Sequence, residues 1–280
     1  GVASHFDGTP TPGVLADIAA NTVLAPADDI AETRRLIDQH GDDIAAIILE
    51  PTGASFGQLP VTAEFVAELR EITRERSIIL IFDEVVTGFG RLGTMFGSDH
   101  YGLKPDIITI AKGLTSAYAP LSGSIVSDRV WAVLERGTDE NGPIGHGWTY
   151  SAHPIGAAAG VANLKLIDQL DLVTNAGRVG AYLNAAMQDA VGGHAQVGDV
   201  RGEGLLCAVE LVADKENRTL YDPAQKIGPQ VVAAMAAQGV IARAMPQGDI
   251  IGFAPPFCIT QEQVDQVVAA TKNAIKTVLG

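Results

Sequence analysis

The sequence predicts an α/β fold, a mostly parallel sheet with helices on both faces, followed by an α+β C-terminal domain. Three observations carry this. Ile44–Leu49, Ile78–Phe82 and Ile107–Ile110 are short, β-branched-rich runs stopped by charged residues at or near their ends, as buried parallel strands are. Thr62–Arg76 lies between two of these runs and sets Phe65, Val66, Leu69 and Ile72 on one stripe, the pattern of a right-handed crossover helix. Beyond Leu170 the chain changes to strands paired by short turns with intervening helices, which reads as an α+β layer. The first domain is therefore placed at residues 1–170 and the second at 171–280.

In chain order, Gly1–Asn21 carries the punctuation DGTPTPG and reads as a surface connection. Asp28–His40 reads as a helix with Ala31, Leu36 and Ile37 inward and Asp28 and Asp29 at its start, where acids suit the helix dipole. Leu121–Val126 is a further strand, Asp128–Arg136 a short helix, and Thr138–Gly145 a polar loop. Ile155–Leu170 is a helix of small residues able to pack closely. Leu172–Ala190 is helical, Val197–Val212 is a strand pair around RGEG, and Gln225–Gln238 is amphipathic. Val240–Arg243 and Ile250–Phe253 are short strands, and Gln261–Leu279 closes the chain with Val264, Val267, Val268, Ile275 and Val278 inward.

Composition bounds the function. Of 280 residues, 47% are hydrophobic and 19% charged, which is globular. The net charge of −14 would repel a polyanion and argues against a nucleic-acid partner. The acidity fits a soluble cytoplasmic surface. No basic-then-apolar leader and no run of 18 apolar residues occurs, so nothing predicts secretion or a membrane partner. Cys207 and Cys258 lie in apolar settings, LLCAVEL and PPFCIT, and read as buried thiols in a reducing compartment.

The chemistry gathers between Ser77 and Gly113. The strand at Ile78–Phe82 delivers Asp83 and Glu84, and the strand at Ile107–Ile110 delivers Lys112, 29 residues after Asp83. Ligands of open α/β sheets sit beyond the carboxyl ends of the strands, so this acid and this lysine can face one ligand. Three readings compete. The two residues are ordinary strand-end charges; or the acid holds magnesium in an ATPase; or the pair serves pyridoxal phosphate, with the lysine as Schiff base and the carboxylate on the ring nitrogen. The second needs a GxxxxGK[ST] loop, and none occurs. Spacing alone does not separate the other two.

The surrounding residues do. DEVVTGFGRLG, then YGLKPDIITIAKGL, then HGWTYSAHP resemble, in order, the class III pyridoxal-phosphate-dependent aminotransferases, a branch of the fold-type I enzymes. The likeness runs from about Asp43 to near the C-terminus. It implies pyridoxal 5′-phosphate as cofactor, Lys112 as the imine-forming lysine and proton carrier, and Asp83 as the partner that keeps the ring nitrogen protonated. It further implies Val85 against the ring face, Glu50 lining the pocket at the Glu50-Pro51 turn, and Thr149 holding the phosphate of a partner subunit's cofactor. Trp148 and Tyr150 beside it are then substrate-lining. The implied assembly is a homodimer with shared sites.

Other residues are less directly placed. Arg91, in the glycine-punctuated loop after Asp83, reads as a loop brace or a surface charge. Two histidines seven apart, His146 and His153, have no Cys, Asp or Glu at ligand spacing, so no metal is assigned. Arg243 matches a mobile arginine that binds substrate carboxylate, for which the guanidinium fork is suited; the proline usual just after it stands two residues later, at Pro246. Relatives acting on ornithine or GABA carry a glutamate where Ser55 stands, which weakens those substrates. HGDDIAAIILEPTGASFGQLP resembles the glutamate-1-semialdehyde aminomutase branch, while HGWTYSAHP and the Arg243 segment resemble ω-transaminases. The expectation is amino transfer between an amine or ω-amino acid and a keto acid such as pyruvate. The alternatives are an aminomutase-like enzyme or a non-catalytic remnant, because the family's N-terminal segment and phosphate loop are not found and the large domain reads as incomplete.

Overall fold

The architecture is that of a computed structural model, which describes residues 12–55, 57–246 and 248–280. It divides into two compact units, Gly1–Ile47 with Val61–Ile79, and Ile48–Pro60 with Leu80–Gly280. Of the surface connection expected over Gly1–Asn21, residues 1–11 lie outside the described residues; the rest includes a one-turn helix, α1 (Ala16–Ala20).

In the first unit α2 spans Ile30–His40, and Asp29 caps it by accepting from the Glu32 N–H at 2.9 Å. Its buried face is Thr33 and Ile37. Ala31 is exposed, against expectation, because one residue after the cap the helix turns Ile30 inward instead. β1 (Ala46–Leu49) follows. Then α3 (Ala63–Glu75) starts at Thr62, whose hydroxyl accepts from the Phe65 N–H at 3.2 Å. Asp28 accepts from both the Thr62 N–H and hydroxyl. Ile37, Ile72 and Ile78 form a core with Ile30, Ile44 and Ile47, each buried side chain contributing about 1.5–3 kcal/mol. The Ile79 N–H donates to Ala45 at 3.1 Å, so the start of β2 (Ile79–Asp83) is already paired here.

In the second unit β2 runs on to Asp83, a one-turn helix α4 (Gly97–His100) follows, and β3 (Ile107–Ile110) lies parallel to β2 with Asp83 opposite Thr109. β4 (Gly123–Val126) returns antiparallel to β3. The chain between them makes only a 3₁₀ turn at Lys112–Leu114, and a parallel return needs a full crossover. Asp106 pins this sheet: its carboxylate accepts from the Leu80 N–H at 2.9 Å and pairs with Arg129 at 3.2 Å.

The helix after β4 is longer than its sequence suggested. α5 covers Asp128–Asn141, so the first half of the expected loop at Thr138–Gly145 is helical. Gly137 does not stop it; the break comes at Gly142, whose φ of +84° is left-handed. α6 (Pro154–Gln169) and α7 (Leu172–Val191) follow. β5 (Val197–Arg201) and β6 (Cys207–Leu211) pair antiparallel, then come α8 (Ile227–Ala236), β7 (Arg243–Ala244), β8 (Asp249–Phe253) and α9 (Gln261–Leu279). This second sheet is antiparallel throughout, in the order β5-β6-β8-β7.

Its core sets Val179, Leu183 and Met187 of α7, Val231 and Met235 of α8 and Val264 and Ile275 of α9 against Cys207, Val209, Leu211 and Ile251. The RGEG turn fits because Gly204 holds φ +54°, and a Cβ on Gly180 would lie 2.3 Å from its carbonyl oxygen. The strand expected at Val240–Arg243 begins only at Arg243. The Val240 N–H is spent closing α8 on Met235, at 3.1 Å. Cys207 is buried, as expected, but Cys258 is exposed: it sits in the loop before α9 with its neighbour Ile259 turned inward. Among the described residues no helix is long and apolar enough to cross a membrane.

Candidate active site

The parallel register of β2 and β3 builds the centre. It puts Thr109 opposite Asp83, and the Thr109 hydroxyl donates to Asp83 Oδ1 at 3.0 Å while the Val85 N–H donates to the same oxygen at 3.1 Å. Oδ2 has no hydrogen-bond partner among the described residues. Asp83 is thus held by one oxygen with the other left to accept, which suits a carboxylate meant for a ligand N–H. Val85 is half-buried beside it.

Glu84 points the other way. It is fully buried and accepts from the Gly97 and Ser98 N–H groups at 2.6 and 2.8 Å and from the Thr87 hydroxyl at 2.6 Å. Its own N–H donates to the Thr109 carbonyl at 3.0 Å. It ties the loop after β2 to the sheet, so adjacent acids on one strand divide into a free acceptor and an anchor.

Two residues beyond β3, Lys112 stands exposed with φ +36°. A non-glycine residue in that region is strained, and such strain gathers at functional positions. Its amine has no hydrogen-bond or ion-pair partner among the described residues. The turn behind it is fixed from α6, where Asn163 donates to the carbonyls of Gly113 and Leu114 at 2.7 and 3.1 Å.

Glu50 fastens its own turn, accepting from the Thr52 hydroxyl at 2.6 Å, the Thr52 N–H at 3.2 Å and the Ala54 N–H at 2.7 Å. Burial pushes its carboxyl above the usual range, with a smaller push from the Asp83 charge. Glu50 is therefore a close neighbour of Asp83 whose oxygens are already engaged. Arg91 is a brace. Its guanidinium donates to the Leu205 and Pro255 carbonyls at 3.1 and 2.6 Å and lies 4.5 Å from the Phe257 ring centroid. Burial draws its pKa down to about 10, which still leaves it charged at neutral pH.

The remaining candidates are not brought to this cluster by any described contact. Trp148 and Tyr150 are 75% and 78% exposed, and Thr149 between them is exposed too. Among the described residues the bonds of their loop are local: the Trp148 N–H donates to the Ser151 hydroxyl at 3.1 Å, and His146 packs edge-on against Trp148. His153 is a helix cap, its Nδ1 accepting from the Ile155 N–H at 3.3 Å. Arg243 lies on β7 opposite Gly252, at a cavity of about 400 Å³. The Met245 N–H, next along the chain from β7, donates to the Ile250 carbonyl at 2.8 Å.

Thr109 and Glu84 were not singled out from sequence. Thr109 had a signal, the one polar side chain in the run IITI, but its meaning needed the strand register.

Comparison with known proteins identifies the family. A family profile described as aminotransferase class-III matches residues 10–275. A diaminobutyrate–2-oxoglutarate transaminase of Halomonas elongata is 53% identical over 85% of this chain and 50% of that protein. Among solved structures, one described as directed evolution of transaminases by ancestral reconstruction has a TM-score of 0.87 and 53% identity over 89% of this chain and 55% of that one. An amine transaminase from an uncultivated Pseudomonas species, in its PLP-bound form, has a TM-score of 0.84 and 37% identity over 89% of this chain and 56% of that one. The chain spans about half the length of the relatives it matches.

Proposed function

Because the chain belongs to the class-III aminotransferases, we propose that it carries the lysine and carboxylate of a pyridoxal-phosphate-dependent amino transfer between an amine or ω-amino acid and a 2-oxo acid. The observation that carries this is the pairing of a tethered acid with a free lysine at adjacent strand ends. Asp83 is fixed through Oδ1 and leaves Oδ2 to accept, and Lys112 presents an unpaired amine from a strained turn.

These residues fit the cofactor on chemical grounds. Asp83 Oδ2 would accept from the ring N–H and, as a nearby opposite charge, hold that proton in place. Lys112 Nζ would hold the cofactor covalently and then carry a proton to and from the substrate carbon, as base and then acid. Val85 would back the ring, and Glu50 would keep the pocket wall closed through its own turn. When bound, the cofactor supplies an aldehyde for imine exchange and a ring that takes up electrons.

The phosphate is assigned to Thr149 of a second subunit. Support comes from the exposed apolar residues that neighbour it along the chain, Ile144, Trp148, Tyr150 and Ile155, since exposed apolar patches mark interaction surfaces. A homodimer with shared sites is the proposed assembly. Arg243, a fork-shaped donor set at a cavity, is assigned to substrate carboxylate. Residues 1–170 form the proposed cofactor-binding portion and 171–280 the C-terminal domain, and the cytoplasm is the proposed location.

Amino transfer by the full-length polypeptide, with several amines and 2-oxo acids, tests the reading. Lys112→Ala should lower turnover by at least about 10²–10⁴-fold, the usual worth of a positioned acid–base group. Unchanged turnover in Lys112→Ala would refute the assignment.

A further inference from the structure

The strain at Lys112 is shared by its whole turn. Ser116 and Ala117 stand at φ +49° and +63°, in the same left-handed region as Lys112. Non-glycine residues cost energy there, and such backbones persist only where their surroundings hold them. The turn is closed by short-range bonds: the Leu114 N–H donates to Ala111 at 2.9 Å, the Thr115 N–H to Lys112 at 3.2 Å and the Tyr118 N–H to Thr115 at 3.1 Å. Bonds of this i→i+3 kind close relaxed turns equally well, so they do not select the strained one.

The selection comes from α6. Gly156, Gly160 and Ile167 form its buried face. A Cβ on Gly156 would lie 3.0 Å from the Pro120 carbonyl oxygen, and one on Gly160 would lie 3.2 Å from the Leu121 side chain. The helix therefore lies directly on the chain that follows the turn, and Ile167 joins Leu114 in one apolar cluster. Between these contacts stands half-buried Asn163. Its Nδ2 donates to the Gly113 and Leu114 carbonyls at 2.7 and 3.1 Å. Carbonyls only accept, so the orientation of the amide is fixed, and its Oδ1 accepts from the Ser116 hydroxyl at 2.7 Å. One side chain thus grips the two residues directly beyond Lys112 and one of the left-handed residues after them.

We propose that Asn163 is the positioning residue for Lys112. By holding Gly113, Leu114 and Ser116 together it keeps Lys112 at φ +36°. Rotation about that N–Cα bond turns the Cβ, and with it the direction in which the amine leaves the strand end. Without the grip, Lys112 relaxes to a right-handed or extended backbone and its amine swings away from the site. A misplacement of about 1 Å is enough to cost on the order of 10²-fold in rate. Asn163 acts through the backbone of the turn and takes no part in the chemistry. The inference rests on the assignment of Lys112 as the attachment lysine.

The test uses the full-length protein and two variants. Asn163→Leu removes all three bonds. Asn163→Asp keeps the size of the side chain and the acceptor for Ser116, but cannot donate to the carbonyls. Cofactor-free protein is mixed with pyridoxal phosphate, the visible absorption band reports capture, and borohydride reduction with peptide mapping locates it. Capture at Lys112 should be at least about tenfold slower in both variants, and kcat should fall about 10–100-fold. Affinity for pyridoxamine phosphate, which has no aldehyde and needs no lysine, should be unchanged by equilibrium dialysis. Parental capture in Asn163→Asp would overturn the proposal, since packing and not donation would then hold the turn. Weakened pyridoxamine phosphate binding in both variants would overturn it too, as the mark of general damage to the pocket. A parent that captures the cofactor on another lysine refutes the Lys112 assignment and this proposal with it. Capture at Lys112 at one rate in parent and variants refutes Asn163 alone.

Discussion

At the end of β2 the polar groups are tied down within the chain, whereas between α5 and α6 Trp148, Thr149 and Tyr150 stand in solvent. The contrast is physical. Asp83 is tethered through Oδ1 by Thr109, which parallel pairing sets across the ladder, and Glu84 is satisfied by the Gly97 and Ser98 amides of the following loop. The loop of Trp148 is braced by Ser151 and by His146, contacts too local to exclude water. Reading the two together teaches that a strand-end cluster can be complete in one chain while the other half of its proposed site awaits a second one.

The largest effect should come from breaking the built half. Glu84→Ala leaves the Gly97 and Ser98 N–H groups buried without an acceptor, at about 1–3 kcal/mol each. For a protein of this size that lowers Tm by roughly 2–4 °C per kcal/mol. Calorimetry of the variant checks it; an unchanged Tm would mean that the loop after β2 is not anchored as described.

A smaller effect is expected in the open half. Thr149→Ala removes one charge-assisted hydrogen bond to a phosphate, worth about 1.5–3 kcal/mol, so cofactor retention should weaken roughly 10–100-fold with Tm of the cofactor-free protein unchanged. Equilibrium dialysis against pyridoxal phosphate measures this. Full retention would remove Thr149 from the site.

The smallest effect separates buried from exposed in the two cysteines. Burial pushes the Cys207 thiol up to about 12, while Cys258 is exposed. At pH 8 a thiol reagent should modify one cysteine in the native chain and two after denaturation. The linkage follows the same sign. The thiol stays protonated when folded but ionises near 9 when unfolded, so stability is held below about pH 9 and falls as the pH climbs toward 12. Two rapidly reacting native thiols would contradict the burial of β6.

Much of this was legible in the residues. β3 and α9 fall where apolar runs placed them, and the stripe of Phe65, Val66, Leu69 and Ile72 placed α3 to within a residue. The places of Asp83 at the end of β2 and of Lys112 just beyond β3 were legible, because charged residues stop each apolar run. What was hidden depended on pairing or on neighbours. Thr109 became Asp83's partner only through register, and Glu84's anchoring role only through the fold of a loop thirteen residues on. The extension of α5 through Gly137 hid because one glycine costs a helix only about 1 kcal/mol. Cys258 looked buried because its neighbours are apolar, while the loop before α9 turned Ile259 inward instead.

The central proposal is that Lys112 is the covalent attachment point of the cofactor. The full-length protein incubated with pyridoxal phosphate, reduced with borohydride and mapped by peptide mass should carry one pyridoxyl group, on Lys112. Its visible absorption band should disappear on reduction. A label on Lys104 or Lys165 in place of Lys112, or none at all, would contradict the account.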